Sequence, residues 1–150
     1  MKKIYVITMI CILMAGFAYA AAAKGTTQEA KAMVVKGVAF YTANGQVKAF
    51  QAFNDPKGKF VDRDLYIYVM DMNGKVLSHG TNPKLIGKAL LELKDADGKA
   101  FVKEITAAAK TKGSGWTDYK WTNPVSKKIE AKTAYFQKTG DVILVCGAYK

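Results

Sequence analysis

Nucleophilic, metal-dependent and acid–base chemistry have few residues to draw on in this chain. It holds one histidine, His79, and two cysteines, Cys11 and Cys146. No C-x-x-C, C-x-x-C-H or H-E-x-x-H spacing occurs, so the common zinc and haem-attachment patterns are missing. Ser78 adjoins His79, but neighbours on a strand point to opposite faces, which argues against a Ser-His dyad. The acids fall mainly in turn sequences (Asp55, Asp71, Asp97, Asp141), where carboxylates bond backbone N–H groups. Asp95 and Asp97 also precede a stretch of helical periodicity, where negative charge suits the helix dipole. Cys146 follows Val142-Ile143-Leu144-Val145, the setting of a small buried hydrophobe. The expectation is therefore a protein without catalysis, metal or cofactor.

Binding chemistry is better supplied. Tyr66, Tyr68, Trp116, Tyr119, Trp121 and Tyr135 lie on stretches of strand character, each pairing a large apolar body with a polar tip. Lys132 stands inside such a stretch, flanked by Ala131, Thr133 and Ala134. Alternation along a strand leaves two orientations open for it, toward solvent or into a concave interior. Turned inward, its ammonium would meet an anion, with tyrosine hydroxyls and His79 completing a set of donors. A small carboxylate suits such a set, because it only accepts hydrogen bonds and carries one negative charge. Tyrosines also serve as plain core or surface residues.

The elements that would hold these residues can be read from periodicity. Thr26 and Glu29 have capping-box spacing, and Ala30, Val34, Val38 and Tyr41 recur at helical spacing, predicting a helix over 27–43. Asn44-Gly45 ends it, and a second helical stretch carries Val47, Phe50 and Phe53. Asn54-Asp55-Pro56-Lys57-Gly58 is turn chemistry. The period then changes to that of strands: 65–70, a turn at Asn73-Gly74, and 76–79. Thr81-Asn82-Pro83 breaks the chain, and Phe101, Val102, Ile105 and Ala109 mark a helix stopped by Gly113 or Gly115. Strands over 116–121, 129–137 and 142–149 complete an α+β domain of helices on an antiparallel sheet.

Length and charge bound the rest. The chain has 150 residues, half of them apolar and 23% charged, which suits one domain. Met1-Lys2-Lys3, an uncharged apolar run over 4–17 and Ala18-Tyr19-Ala20 read as a signal peptide over 1–20, leaving a single domain over 21–150. The apolar run is short for a membrane span, which needs roughly 20 residues, although an uncleaved anchor is the alternative. Cleavage would remove Lys2 and Lys3, lowering the formal +11 by two to +9 and leaving Cys146 without a partner for an intramolecular disulfide. All basic residues but Arg63 are lysines, scattered through every segment. In an exported domain that pattern argues for a solvated surface and against nucleic acid as a partner.

The order of motifs resembles the single Cache domain, type 2, a family of bacterial extracytoplasmic sensor modules with a PAS-like sheet. The residues that carry the resemblance are Asn44-Gly45, the segment 60–66, Asp71-Met72-Asn73-Gly74 with 75–79, and Asn82-Pro83 with 84–88. Further along come Asp95-Ala96-Asp97-Gly98 with 99–102, Gly113-Ser114-Gly115-Trp116 with 117–119, Asn123-Pro124, Lys132-Thr133-Ala134-Tyr135 and Gly147-Ala148-Tyr149. The resemblance implies a PAS-like five-stranded antiparallel sheet with N-terminal helices on one face and a small-molecule pocket on the other. It also implies a short organic acid as ligand, such as acetate, propionate, pyruvate or lactate. Carried over by position, the pocket draws on Tyr66, Tyr68, His79, Trp116, Tyr119, Lys132 and Tyr135, with Lys132 as the carboxylate's counter-charge. Where the family usually has a proline after the histidine position, this chain has Gly80, which would loosen the turn. Lys150 follows the final motif directly, so the expectation is a periplasmic or otherwise secreted binding protein that hands its state to a membrane receptor or kinase. It would be a monomer or a weak homodimer through the N-terminal helix. The competing expectation is a basic interaction protein docking on an anionic receptor or cell-surface partner.

Overall fold

A computed structural model describes residues 23–150; the expected signal peptide lies outside them. The first helix, α1 (Thr27–Phe53), begins with the capping box, the Thr26 hydroxyl accepting from Glu29 N–H and the Glu29 carboxylate from Thr26 N–H. Its axis breaks at Gly45, at φ 74° and ψ 169°, so the two expected helical stretches abut with no loop between them. Asn54 caps its end through its N–H to Phe50 O.

Two short strands follow, β1 (Val61–Asp62) and β2 (Leu65–Tyr66), which pair only with each other. The main sheet is built from β3 (Tyr68–Asp71), β4 (Val76–His79), β5 (Ser114–Thr122), β6 (Ile129–Thr139) and β7 (Val142–Tyr149), in the antiparallel order β4-β3-β7-β6-β5. A 3-10 turn (Pro83–Leu85) and α2 (Phe101–Lys112) form the crossover between β4 and β5. Gly113, at φ 78°, closes α2.

Alternation divides the sheet's side chains between two cores. Val142, Leu144, Cys146 and Ala148 of β7 face α1, packing with Val34, Phe53, Phe60, Leu65, Ile67 and Val69. Ile143, Val145 and Tyr149 face the other way, toward α2 and Tyr66, Tyr68, Met70, Phe101 and Ile105. Every residue of β7 is buried, as befits a central strand covered on both faces, and Cys146 is sealed beneath α1 as its apolar setting predicts.

Two local expectations are corrected. The stretch 65–70 is not one strand: Ile67 N–H turns aside to Phe60 O, and Tyr66 and Tyr68 fall on different ladders. The alternation nevertheless persists, so both tyrosines keep the same face. Asp95 and Asp97 do not sit at a helix start, since α2 opens at Phe101 with no side-chain cap. Asp95 instead accepts backbone N–H bonds from Asp97, Lys99 and Lys120, fastening the crossover to the outer edge of β5.

Candidate functional site

Lys132 points inward and is 1% exposed. In register it lies between Tyr119 of β5 and Tyr149 of β7. Its stem runs over Gly147, where a Cβ would come within 2.8 Å of Lys132 Cγ and closer still to Cε. Only the missing side chain at Gly147 lets the lysine lie flat on the sheet. The ammonium donates to Tyr66 OH at 2.9 Å and to Tyr149 OH at 3.4 Å. Tyr149 OH donates in turn to Thr122 O at 2.8 Å. The same ammonium lies 4.1 Å from the Tyr66 ring centre and 4.7 Å from that of Tyr149, an aromatic cage for a cation. Among the described residues no carboxylate makes an ion pair with it.

His79 ends β4, stacked on Tyr66 at 4.9 Å and Tyr68 at 5.8 Å. Its Nδ1 accepts from Asn82 N–H at 3.0 Å and Thr81 N–H at 3.3 Å. Burial first, and the Lys132 charge second, lower its pKa to about 3, so the imidazole is neutral. Burial also raises the Tyr66, Tyr68, Tyr119 and Tyr149 hydroxyls, which therefore remain protonated donors. Tyr68 OH and Tyr119 OH lie 3.4 Å apart.

These groups wall a cavity between the sheet, α2 and the crossover. Tyr66, Tyr68, His79 and Tyr119 form its polar side; Met70, Leu85, Leu90, Phe101, Val102 and Trp121 supply apolar surface. About 20 Å³ is open to the centre of a water-sized sphere, room for about one water. A wider recess of about 240 Å³ shares Tyr66, His79 and Trp121 and opens outward past Asn82, Asn123 and Lys127.

Four of the seven expected residues, Tyr66, Tyr68, His79 and Tyr119, line this cavity, and a fifth, Lys132, lies behind them with its ammonium on Tyr66 OH. Trp116 and Tyr135 are the correction. They face each other across β5 and β6 on the α1 side of the sheet, ring centres 5.1 Å apart, with Trp116 42% exposed. Trp116 stands three residues from Tyr119 and Tyr135 three from Lys132 on their strands, and odd offsets change face. Tyr149 was missed, although its offset of two from Gly147 and the register beside Lys132 place it in the cage. Trp121, two residues from Tyr119, carries the same parity. Gly80 donates its N–H, which a proline would lack, to Ile67 O at 3.0 Å.

Comparison with known proteins bears on this geometry. The model of the family described as Single Cache domain 2 matches residues 5–150. The chemotaxis protein McpP of Pseudomonas putida is 36% identical over 76 residues, 51% of this chain and 14% of that protein. The sensor histidine kinase MctS of Rhizobium johnstonii is 33% identical over 73 residues, 49% of this chain and 16% of that protein. The chain therefore spans a small part of the length of these relatives. A methyl-accepting chemotaxis protein from Vibrio parahaemolyticus superposes with a TM-score of 0.71 at 24% identity, covering 81% of this chain and 86% of the other, a likeness of fold. A Cache chemosensory domain solved for the structural basis of its carboxylic acid recognition superposes with a TM-score of 0.64 at 28% identity, covering 81% and 86%.

Proposed function

We propose that this chain, which belongs to the Single Cache domain 2 family, is an extracytoplasmic sensor module that binds a short-chain organic acid, such as acetate, propionate, pyruvate or lactate. One observation carries the reading. Lys132 is a buried ammonium with tyrosine hydroxyls and ring faces around it and no ionised carboxylate paired to it among the described residues. A buried charge without a counter-charge is costly, and an incoming anion offsets that cost. The surrounding groups are donors: the Tyr66 hydroxyl proton, the neutral imidazole and the Tyr68–Tyr119 pair. A carboxylate accepts from all of them and brings the negative charge that the ammonium lacks, which a neutral alcohol or amine does not.

The apolar wall of Met70, Leu85, Leu90 and Phe101 fits a short carbon tail. The cavity must widen to admit even two carbons, and in this reading the crossover is the wall that shifts, turning about the bonds that tie it to the sheet, such as Gly87 N–H to Val76 O and Lys120 N–H to Asp95. Binding would then shift the crossover against the sheet, a displacement that a membrane receptor or kinase partner can read. The carboxylic acid recognition described for the similar Cache domain, and the chemoreceptor and kinase relatives, support this reading. Export to the periplasm accords with the leader-like sequence over 1–20, and no role for this donor set in catalysis is proposed.

The test is calorimetric titration of the purified chain with C2 to C4 monocarboxylic acids and with their amides as neutral controls. Saturable binding of at least one acid, and of no amide, is expected. Absence of binding by every acid, with the fold intact, would sink the proposal.

A further inference from the structure

The single histidine holds its ring in one protonation pattern by backbone geometry. Nδ1 receives two amide protons, from Thr81 and Asn82, so its lone pair is occupied. A neutral imidazole with Nδ1 accepting carries its proton on Nε2. Among the described residues Nε2 has no hydrogen-bond partner. It is also not sealed in, since every fully buried side-chain polar atom there does have a partner. His79 as a whole is only 4% exposed. The ring lines both the cavity and the recess, the two spaces to which that nitrogen can be open.

We infer that His79 is a tautomer-locked N–H donor, fixed by the Thr81 and Asn82 amides, so that the site reads the ionised form of an acid and does not itself respond to pH. The ligand half of the inference rests on the carboxylate reading; the lock does not.

Protonating Nδ1 would break both amide bonds and strand two N–H groups against a cation. No facing group rewards that change. Tyr66 of β2 and Tyr68 of β3, stacked on the ring, are neutral hydroxyls, and β6 contributes the cationic Lys132. From the end of α1 comes the neutral Asn54, which accepts from the His79 backbone N–H at 3.0 Å. Trp121 of β5, Phe101 and Val102 of α2, and Lys127 on the rim of the recess offer no carboxylate. A donor that cannot become an acceptor discriminates at Nε2: a carboxylate satisfies it, while a group presenting its own proton leaves two donors opposed.

Because His79 is the only histidine, ¹⁵N-histidine labelling of the whole chain reports this residue with no assignment step. In the free protein we expect the Nε2–H tautomer pattern, unchanged from pH 8 to pH 5. A titration with a midpoint between pH 5 and pH 7, or an Nδ1–H pattern, overturns the lock. With the tightest acid from the titrations, affinity should stay level from pH 8 to pH 6. It should then fall about tenfold per unit once the pH is below the acid's own pKa. Affinity that rises on acidification with a midpoint near pH 6.5 would show an imidazolium at work and overturn the inference. His79→Phe should weaken binding by about ten- to a hundredfold, while His79→Gln, which retains an amide donor, should recover part of it. A locked tautomer in a protein that binds no acid would leave the lock standing and overturn the ligand half together with the carboxylate reading.

Discussion

At the scale of single residues, the proposed binding turns on Lys132, a buried cation. Replacing it with methionine keeps most of the stem's volume and removes the charge. Lys132→Met should abolish acid binding in a calorimetric titration, because losing one partner of a buried charge pair costs about 3–5 kcal/mol. The same change should leave unfolding in urea unaltered or slightly harder for the free protein, since a buried cation has been relieved. Lys138→Met, on the exposed part of the same strand, should change affinity by less than about 1 kcal/mol. Equal small effects from both would remove Lys132 from the site. His79 makes a separate statement about stability. Its folded pKa is about 3 against an ordinary 6.5, so the unfolded chain takes up the extra proton. The associated stability is complete above pH 6.5 and is lost as pH falls toward 3, at up to ~1.4 kcal/mol per unit. Carboxylates such as Glu29, lowered from 4.5 to about 2, begin to contribute as pH nears 5, so urea unfolding between about pH 7 and pH 5.5 is where the histidine dominates. A slope there that persists in His79→Gln would count against this account. The candidate site's residue types can be read from the sequence, and strand parity sorts their faces: Tyr135 stands three from Lys132 and Trp116 three from Tyr119, so both fall on the α1 side. No local rule, in contrast, announces that Tyr149 and Lys132 are neighbours; that is set by the β6–β7 register.

At the scale of elements, two glycines decide what their strand or helix can do. Gly45 sits in a backbone region almost confined to glycine, and a Cβ there would meet nothing within 4 Å. Gly45→Ala should therefore cost about 1–3 kcal/mol through backbone strain alone, read as a lower urea midpoint. An unchanged midpoint would mean the two halves of α1 straighten freely. Gly147 acts on the site. An alanine there would overlap the Lys132 stem and meet the Ala134 Cβ at 3.0 Å, so the lysine must rise from the sheet. Gly147→Ala should weaken acid binding at least tenfold and destabilise the fold by about 1–3 kcal/mol. Shortening the stem removes the clash, so Lys132→Ala should recover much of that stability in the double variant. Additive losses would separate the two residues. Long elements were legible because period and punctuation agree: β7 lies where its apolar run does, and Asn44-Gly45 marks the break in α1. The small β1–β2 ribbon and the start of α2 were not. Two-residue strands carry no period, and Asp95 resembles a helix cap while one of its partners, the amide of Lys120, is brought to it only by tertiary packing.

At the scale of the whole molecule, the ends of the fold are tied to the pocket. Lys24 Nζ bonds Glu130 at 2.6 Å and Lys150 O at 2.7 Å, and Gly25 N–H donates to Asp64 at 2.7 Å. Asp64 stands two residues before Tyr66, and Asn123, which donates to it, follows the Thr122 carbonyl that holds Tyr149. A ligand that reorganises Tyr66 and Tyr149 thus acts on groups that also fasten both ends of the domain. Two readings of the basic surface then part by salt dependence. A carboxylate held by Lys132 lies where counter-ions do not reach, so its binding should change little with ionic strength. Binding to an anionic polymer uses exposed lysines, and should fall steeply as salt rises over the range where the Debye length shrinks from about 10 Å at 0.1 M. With the best acid at a hundredfold excess over its Kd, the folded state should gain about 2.7 kcal/mol. For a domain of this size that is a rise in Tm of roughly 10 °C. The rise should be nearly the same at 50 and 500 mM salt. A rise produced only by polyanion, and erased at high salt, would favour the docking protein and leave the Lys132 cage as a structural feature of the core.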